Sequence, residues 1–261
     1  MVGEIHISGI NKQFRNPNPG EEDIVALEGF SLDIEPGSFV SLIGPSGCGK
    51  STLLRLIGGL DKPDQGDIKL DGERVEKPGS DRGFAFQGSN LFPWLTVENN
   101  IAFGLKARHV YRQRKADVGE YIRLVGLEGF EKSYPHQLSG GMCQRASLAR
   151  ALAGHPKVLL MDEPLGALDA FTRMNLQDEI LNIWKERQMT MIMVTHDVDE
   201  AIYMSDKVVV MSARPSRVEK IIDIDLPRPR ARIQDTFQIY RSKILEILNY
   251  GGTIAEAEYN I

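Results

Sequence analysis

Cysteine is scarce: Cys48 and Cys143 are the only two in 261 residues, too few for a disulfide framework and in keeping with a reducing compartment such as the cytosol. Positive charge is not in excess either. Lys and Arg number 31 against 36 Asp and Glu, a net charge of -5, which argues against nucleic acid as the main partner because phosphate-backbone binding is driven by a basic surface. No window approaches the roughly 18 to 20 continuous apolar residues of a membrane-spanning helix, so any membrane role is borrowed from a partner. Residues 1–11 alternate Ile5 and Ile7 with polar side chains and lack the basic stretch and apolar run of a signal peptide. Internal repeats and low-complexity tracts are also missing.

What is present is a chain of 42% hydrophobic residues with two kinds of patterning. Short strand-like segments at 4–7, 27–34, 39–43 and 67–75 are punctuated by Pro36-Gly37 and Asp71-Gly72, which predicts a sheet-rich amino-terminal region. The run Asn16-Pro17-Asn18-Pro19-Gly20 reads as an exposed loop. From Lys50 the period becomes helical, through Leu53, Leu54, Leu56, Ile57 and Leu60. Apolar runs at 158–161, 191–194 and 208–211 read as strands buried on both faces of a parallel sheet, and Leu176, Ile180, Ile183 and Trp184 give the stripe of a crossover helix. Between 88 and 156 strand signals vanish, and Val118, Tyr121, Ile122 and Val125 form an amphipathic helix closed by Gly126. The expectation is an α/β fold: a core of 1–87 and 157–232 with an antiparallel β region at its amino-terminal end, a helical subdomain inserted at 88–156, and a carboxy-terminal helix and tail at 233–261. In that last part Phe237, Tyr240, Ile244 and Ile247 read as a packing stripe.

Gly44-Pro45-Ser46-Gly47-Cys48-Gly49-Lys50-Ser51, followed by Thr52, matches the Walker A phosphate loop between an apolar strand and a helix, the context its mechanism requires. The glycines let successive N-H groups point at an anion, and the helix adds its positive end. Lys50 is the candidate for the β- and γ-phosphates and Ser51 for Mg²⁺, while Cys48 is a small side chain within the loop. Such a loop predicts a P-loop NTPase core of RecA-like type.

The strand at 158–161 runs into Asp162-Glu163, the Walker B arrangement. Strand alternation would send the two carboxylates to opposite sides, Asp162 to Mg²⁺ and Glu163 to the attacking water as general base. A further buried strand at 190–195 ends at His196-Asp197, where a γ-phosphate contact would emerge.

Leu138-Ser139-Gly140-Gly141-Met142 precedes a helix whose cap and bare N-H groups make a second anion site. Two phosphate sites in one chain invite a dimer. Here the sequence resembles the ABC-transporter ATPase family, whose signature is Leu-Ser-Gly-Gly-Gln. The resemblance covers nearly the whole chain: it takes in the phosphate loop, Gln87 after Phe86, the signature, Walker B, the segment Gly166-Ala167-Leu168-Asp169 and His196. It implies ATP as substrate with Mg²⁺, sandwiched between the phosphate loop of one subunit and Ser139, Gly140 and Gly141 of a second ATPase subunit. It also implies Gln87 as a sensor of Mg²⁺ and the attacking water, and Phe14 as the aromatic that stacks on adenine. The implied partners are transmembrane permease subunits and, indirectly, a solute-binding protein, at the cytoplasmic face of the inner membrane.

Met142 and Cys143 depart from the family's usual glutamines. Met at that position is similar to the branch of importers for nitrate, sulfonate and taurine, as are the segments 133–137, 212–215 and 226–230. Two other readings stand beside this one: a soluble ABC ATPase of DNA repair or translation, which resembles tandem cassettes or carries long insertions, and a P-loop kinase, which has no use for the serine-glycine signature. The basic stretch Lys106, Arg108, Arg112, Arg114 and Lys115 reads as solvated surface. By the resemblance, Leu91-Phe92-Pro93-Trp94-Leu95 lies beside the groove that receives the permease.

Overall fold

Ile5, Ile7 and Ile10 are all buried on strand β1 (Ile5–Phe14), although the step from 7 to 10 breaks strict alternation. The break is absorbed by a register shift between Ile7 and Ile10, with Gly9 at φ 54, so that Ile10 stays on the inner face. The coordinates are those of a computed structural model that describes residues 3–16, 18, 20, 22–166 and 168–248. Pro17 and Pro19 of the amino-terminal loop, Ala167 and the tail 249–261 lie outside the described residues.

Strand β1 pairs antiparallel with β2 (Ile24–Ile34) and β4 (Gln65–Leu70), and β4 folds back on β5 (Glu73–Arg74), in the order β2-β1-β4-β5. The segment read as one strand at 67–75 is therefore a hairpin. Asp71 and Gly72 are its two loop residues, at φ 51 and φ 82, the left-handed pair that matches the twist of a tight hairpin.

The second sheet runs β10-β9-β3-β8-β7-β6. Strands β3 (Phe39–Ile43), β6 (Arg82–Ala85), β7 (Val158–Asp162), β8 (Thr190–Val194) and β9 (Lys207–Met211) are parallel, and β10 (Val218–Asp223) adds to the edge antiparallel. Every residue of β3, β7 and β8 is buried, which is why their sequences are mainly apolar, with Ser41, Asp162 and Thr190 as the buried polar residues. Neither edge strand was anticipated. β6 reads Arg-Gly-Phe-Ala, and its Gly83 lets the Ala151 carbonyl approach where a Cβ would sit 2.7 Å away; β10 alternates with charge and has one buried residue, Ile222.

Helix α1 (Lys50–Ile57) and the antiparallel sheet cover one face of this parallel sheet, joining Leu53, Leu54 and Ile57 to Ile5, Phe30 and Ile68 in one apolar cluster. Leu60, read as part of the helical stripe, lies beyond the helix end: Gly59 turns the chain at φ 69 and Leu60 is exposed.

The other face is covered by helices. From 88 to 156 these are α2 (Val97–Ile101), α3 (Phe103–Ala107), α4 (Lys115–Leu124) and α5 (Gly140–Leu152), with a 3-10 turn at Pro135–Gln137. They are followed by α6 (Ala170–Arg187), α7 (Val198–Met204) and α8 (Asp235–Leu248). Tyr121, Ile180, Phe237 and Ile244 belong to the cluster on this face. Among the described residues, no helix is long and apolar enough to cross a membrane.

Candidate active site

Strand β3 delivers the chain at Gly44 and α1 takes it up at Lys50, so the phosphate loop is the turn between a buried strand and a helix N-terminus. Gly49 sits at φ 114, and a Cβ there would lie 3.1 Å from the Ala26 carbonyl; the turn admits no other residue without strain. Lys50 is 8% exposed. Its ammonium donates to the carbonyls of Gly44 at 2.7 Å and Pro45 at 2.9 Å, and lies 3.8 Å from the Cys48 sulfur. The charge is thus stored inside the loop, on neutral acceptors that an anion can replace.

One residue further on, the Ser51 hydroxyl donates to Asp162 Oδ1 at 3.0 Å. Burial raises the Asp162 carboxyl above the usual carboxylate range; the Ser51 bond opposes this and the Glu163 charge adds to it.

Glu163 corrects the reading by strand alternation. β7 ends at Asp162, and Glu163 has left it for the left-handed region, at φ 48. Its backbone is pinned on both sides: its N-H donates to the Val194 carbonyl at 3.0 Å, and the Gln144 side chain donates to its carbonyl at 2.9 Å. Held so, its carboxylate accepts from Gln87 Nε2 at 3.2 Å and faces His196 Nδ1 at 3.5 Å. A left-handed glutamate costs roughly 1–3 kcal/mol, and such strain concentrates at functional sites.

His196 follows β8, which ends at Val194 rather than at 195. Helix α7 begins just after it, capped by Asp197, whose carboxylate accepts from the Glu200 N-H at 3.1 Å. The far end of α7 is fixed from the segment 226–230. Arg230 donates to the carbonyls of Ile202, Ser205 and Ile224, and Arg228 to that of Met204. Cations at a helix C-terminus satisfy carbonyls that lack intrahelical partners. Burial, with Arg228 beside it, pulls the Arg230 guanidinium down to about 10.

These groups surround one cavity of about 420 Å³. Gly44, Ser46, Gly47, Cys48, Gly49, Lys50, Ser51 and Thr52 line it, with Gln87, Glu163 and His196. Phe14, the last residue of β1, stands at the same cavity with its ring 40% exposed. Asp162 lies behind Ser51 and reaches the site through it. Pro45 lines a neighbouring cleft with Met211 and Ile247, and its carbonyl holds Lys50.

Ser139, Gly140 and Gly141 are not at this cavity. Ser139 caps α5, accepting from the Met142 N-H at 3.2 Å, and is exposed with Gly140. Ile24 and Ala26 of β2 line the cavity without having been singled out in the sequence, and two polar residues at the site also escaped that reading. Gln144 belongs to the signature helix, and nothing in its spacing reveals that it reaches Glu163. Arg214 belonged to a segment noted only for its resemblance to importers, yet it lines the cavity.

A family model described as ABC transporter matches residues 27–166. The aliphatic sulfonates import ATP-binding protein SsuB of Bacillus cereus is 50% identical over 250 residues, 96% of this chain and 98% of that protein. The chain belongs to the ABC transporter ATPase family. The bicarbonate transport ATP-binding protein CmpC of Synechocystis is 47% identical over 255 residues, 94% of this ABC ATPase and 38% of that longer protein. Among solved structures, a dimeric ATP-binding cassette in a post-hydrolysis state bound to ADP and Pi superposes with a TM-score of 0.76 at 32% identity, covering 85% of this chain and all (100%) of that one.

Proposed function

We propose that this ABC ATPase powers a small-solute importer, two copies closing on two ATP molecules and reopening after hydrolysis to drive a separate transmembrane permease. The observation that carries the reading is the arrangement around Glu163. Its carboxylate sits between Gln87 and His196, over the cavity that holds Lys50 and Ser51, while Ser139 lies exposed elsewhere for a partner's nucleotide. Phosphoryl transfer to water needs little covalent help from protein, and the roles follow from position. Lys50 and the loop N-H groups bind the phosphates, Phe14 stacks on adenine, Glu163 orients and deprotonates the attacking water, and His196 contacts the γ-phosphate.

Mg²⁺ fits the donor set. Ser51, Asp162 and the Gln87 amide offer hard oxygens, and among the described residues no group of three His, Cys, Asp or Glu forms a cage. That suits an ion which fills its remaining positions with phosphate oxygens and water. Bound there, it would offset charge on the β- and γ-phosphates.

The permease reading is supported by Leu91 to Leu95. Asn100, fully buried, accepts from the Phe92 N-H at 2.8 Å and donates to the carbonyls of Phe92 and Leu95 at 3.1 and 2.9 Å, holding this loop in place. Trp94 nevertheless remains 70% exposed, its ring tilted 42° against that of Phe92, as a preformed partner surface. Relatives named for sulfonates and bicarbonate point to a small anion as solute. A solute-binding protein delivers it, and the ATPase sits on the cytoplasmic face of the membrane, held there by the permease. Purification of the tagged chain from detergent-solubilised membranes is expected to bring down a polytopic protein in about equal amount. Recovery with ribosomal or DNA-repair proteins instead would remove the transport reading and leave the ATPase chemistry.

A further inference from the structure

Arg214 stands at the cavity that holds the phosphate loop. A Cβ added to Gly47, at the crest of the phosphate loop, would lie 3.1 Å from Arg214 Nη2 and 3.8 Å from its Cζ, so the guanidinium packs directly over the loop backbone. Among the described residues, no hydrogen bond or ion pair engages it. Its neighbours in sequence differ: Arg217 pairs with Glu28 at 2.7 Å, Arg228 with Asp206 at 2.7 Å, and Arg230 donates to backbone carbonyls. A guanidinium carries five donors in a planar fork suited to phosphate oxygens.

The loop bearing Arg214 is fixed at its root. Ser216, fully buried, donates its N-H to the Ala26 carbonyl at 3.1 Å and accepts from the Glu28 N-H at 3.1 Å. The Ser216 hydroxyl donates to the Ser212 carbonyl at 3.1 Å, and the Arg217 N-H donates to Ser212 Oγ at 3.0 Å, closing the turn on itself. Ala26 also lines the cavity, and its carbonyl is the group that approaches Gly49. Loop, strand β2 and phosphate loop are therefore interlocked, and Arg214 is exposed above that fixed root.

We infer that Arg214 is a second cationic contact to the phosphate chain of the bound nucleotide, acting from beside Gly47 and independently of a second subunit. The inference rests on the nucleotide reading of this cavity. Such a contact acts on ADP and ATP alike, whereas a residue that merely props the cavity open also acts on adenosine. A residue that instead pairs across the dimer leaves ADP binding by the single chain untouched.

The test is binding of ADP, and of adenosine by competition, to the full chain, to Arg214→Ala and to Arg214→Lys, each at low and high salt, with thermal melts to compare folding. Arg214→Ala is expected to weaken ADP about tenfold, leave adenosine unchanged and flatten the salt dependence. Arg214→Lys, which keeps the charge and most of the stem, is expected to recover part of the loss. Unchanged ADP affinity in the alanine variant, or an equal loss for adenosine, overturns the assignment. Failure of the unmodified chain to bind ADP at all strikes the nucleotide reading itself, and is recognised because it appears without any substitution.

Discussion

The Ser51 hydroxyl donates to Asp162 across 111 positions of sequence, tying the first turn of α1 to the last residue of β7. This bond holds together the two oxygens proposed to share Mg²⁺. Ser51→Ala removes one oxygen and leaves Asp162 buried with one fewer partner. ATP affinity measured with Mg²⁺ is expected to fall about tenfold or more, while affinity in excess chelator changes little. An equal loss with and without Mg²⁺ would take Ser51 out of the metal site.

Glu163→Gln keeps the shape and an acceptor for Gln87 Nε2, but removes the carboxylate proposed as the base. Phosphate release is expected to slow by about 10²–10⁴ while ATP binding persists. Size-exclusion chromatography in ATP should then show a dimer that the unmodified chain passes through too briefly to accumulate. Hydrolysis at the original rate would leave the general base unidentified.

Gln144 acts at one remove, through its bond to the Glu163 carbonyl. Gln144→Leu fills the space but leaves that carbonyl without its side-chain donor, keeping the longer bond from the Gly166 N-H at 3.3 Å, and the left-handed turn at Glu163 loses one of its backbone anchors. Turnover is expected to drop about tenfold with a smaller change in ATP affinity, because the base moves and the phosphate loop does not. A loss confined to affinity would contradict this.

The catalytic elements were legible because their chemistry is local. A phosphate loop is contiguous from Gly44 to Ser51, and a buried parallel strand such as 158–161 announces itself as an apolar run. Edge strands announce nothing: β6 is built around Gly83, whose merit is to have no side chain, and β10 is half-polar because one of its faces meets water. The conformation of Glu163 was hidden for a related reason, since a left-handed glutamate is imposed by partners from β8 and α5 rather than by its own preference. Gln144 and Arg214 reach the site by tertiary placement, one from the signature helix and one from a loop clamped to β2.

Glu200 gives the fold a pH dependence of its own. It is 5% exposed, and burial holds its carboxyl above the ordinary range even though Thr195 and Gln177 bond to it. A folded pKa above the unfolded one means that the native state binds the extra proton, so the contribution of Glu200 to stability is full in acid and is lost as pH rises from the ordinary glutamate range through the folded pKa. Glu200→Gln keeps an oxygen for Gln177 and has no proton to lose. Its melting temperature should exceed that of the unmodified chain at about pH 8 and converge with it in acid. A lower melting temperature at both ends would mean that the ionised carboxylate is stabilising.

Asn100 and Trp94 separate the scaffold of the proposed permease surface from the surface itself. Asn100 has every side-chain polar atom engaged by the loop it encloses, so Asn100→Ala strands several buried backbone groups and should cost about 1–3 kcal/mol of stability. Trp94 is exposed and encloses nothing, so Trp94→Ala should melt within about 0.5 kcal/mol of the unmodified chain. If the surface receives the permease, this quiet substitution must be the more damaging of the two once the membrane complex is assembled. Transport-coupled ATPase activity and co-purification with the permease should collapse for Trp94→Ala while ATP binding by the chain alone is kept. Asn100→Ala should lose both in proportion to its unfolding. If Trp94→Ala assembled and transported normally, the ring would be surface without a partner, and the permease would have to engage this ATPase elsewhere.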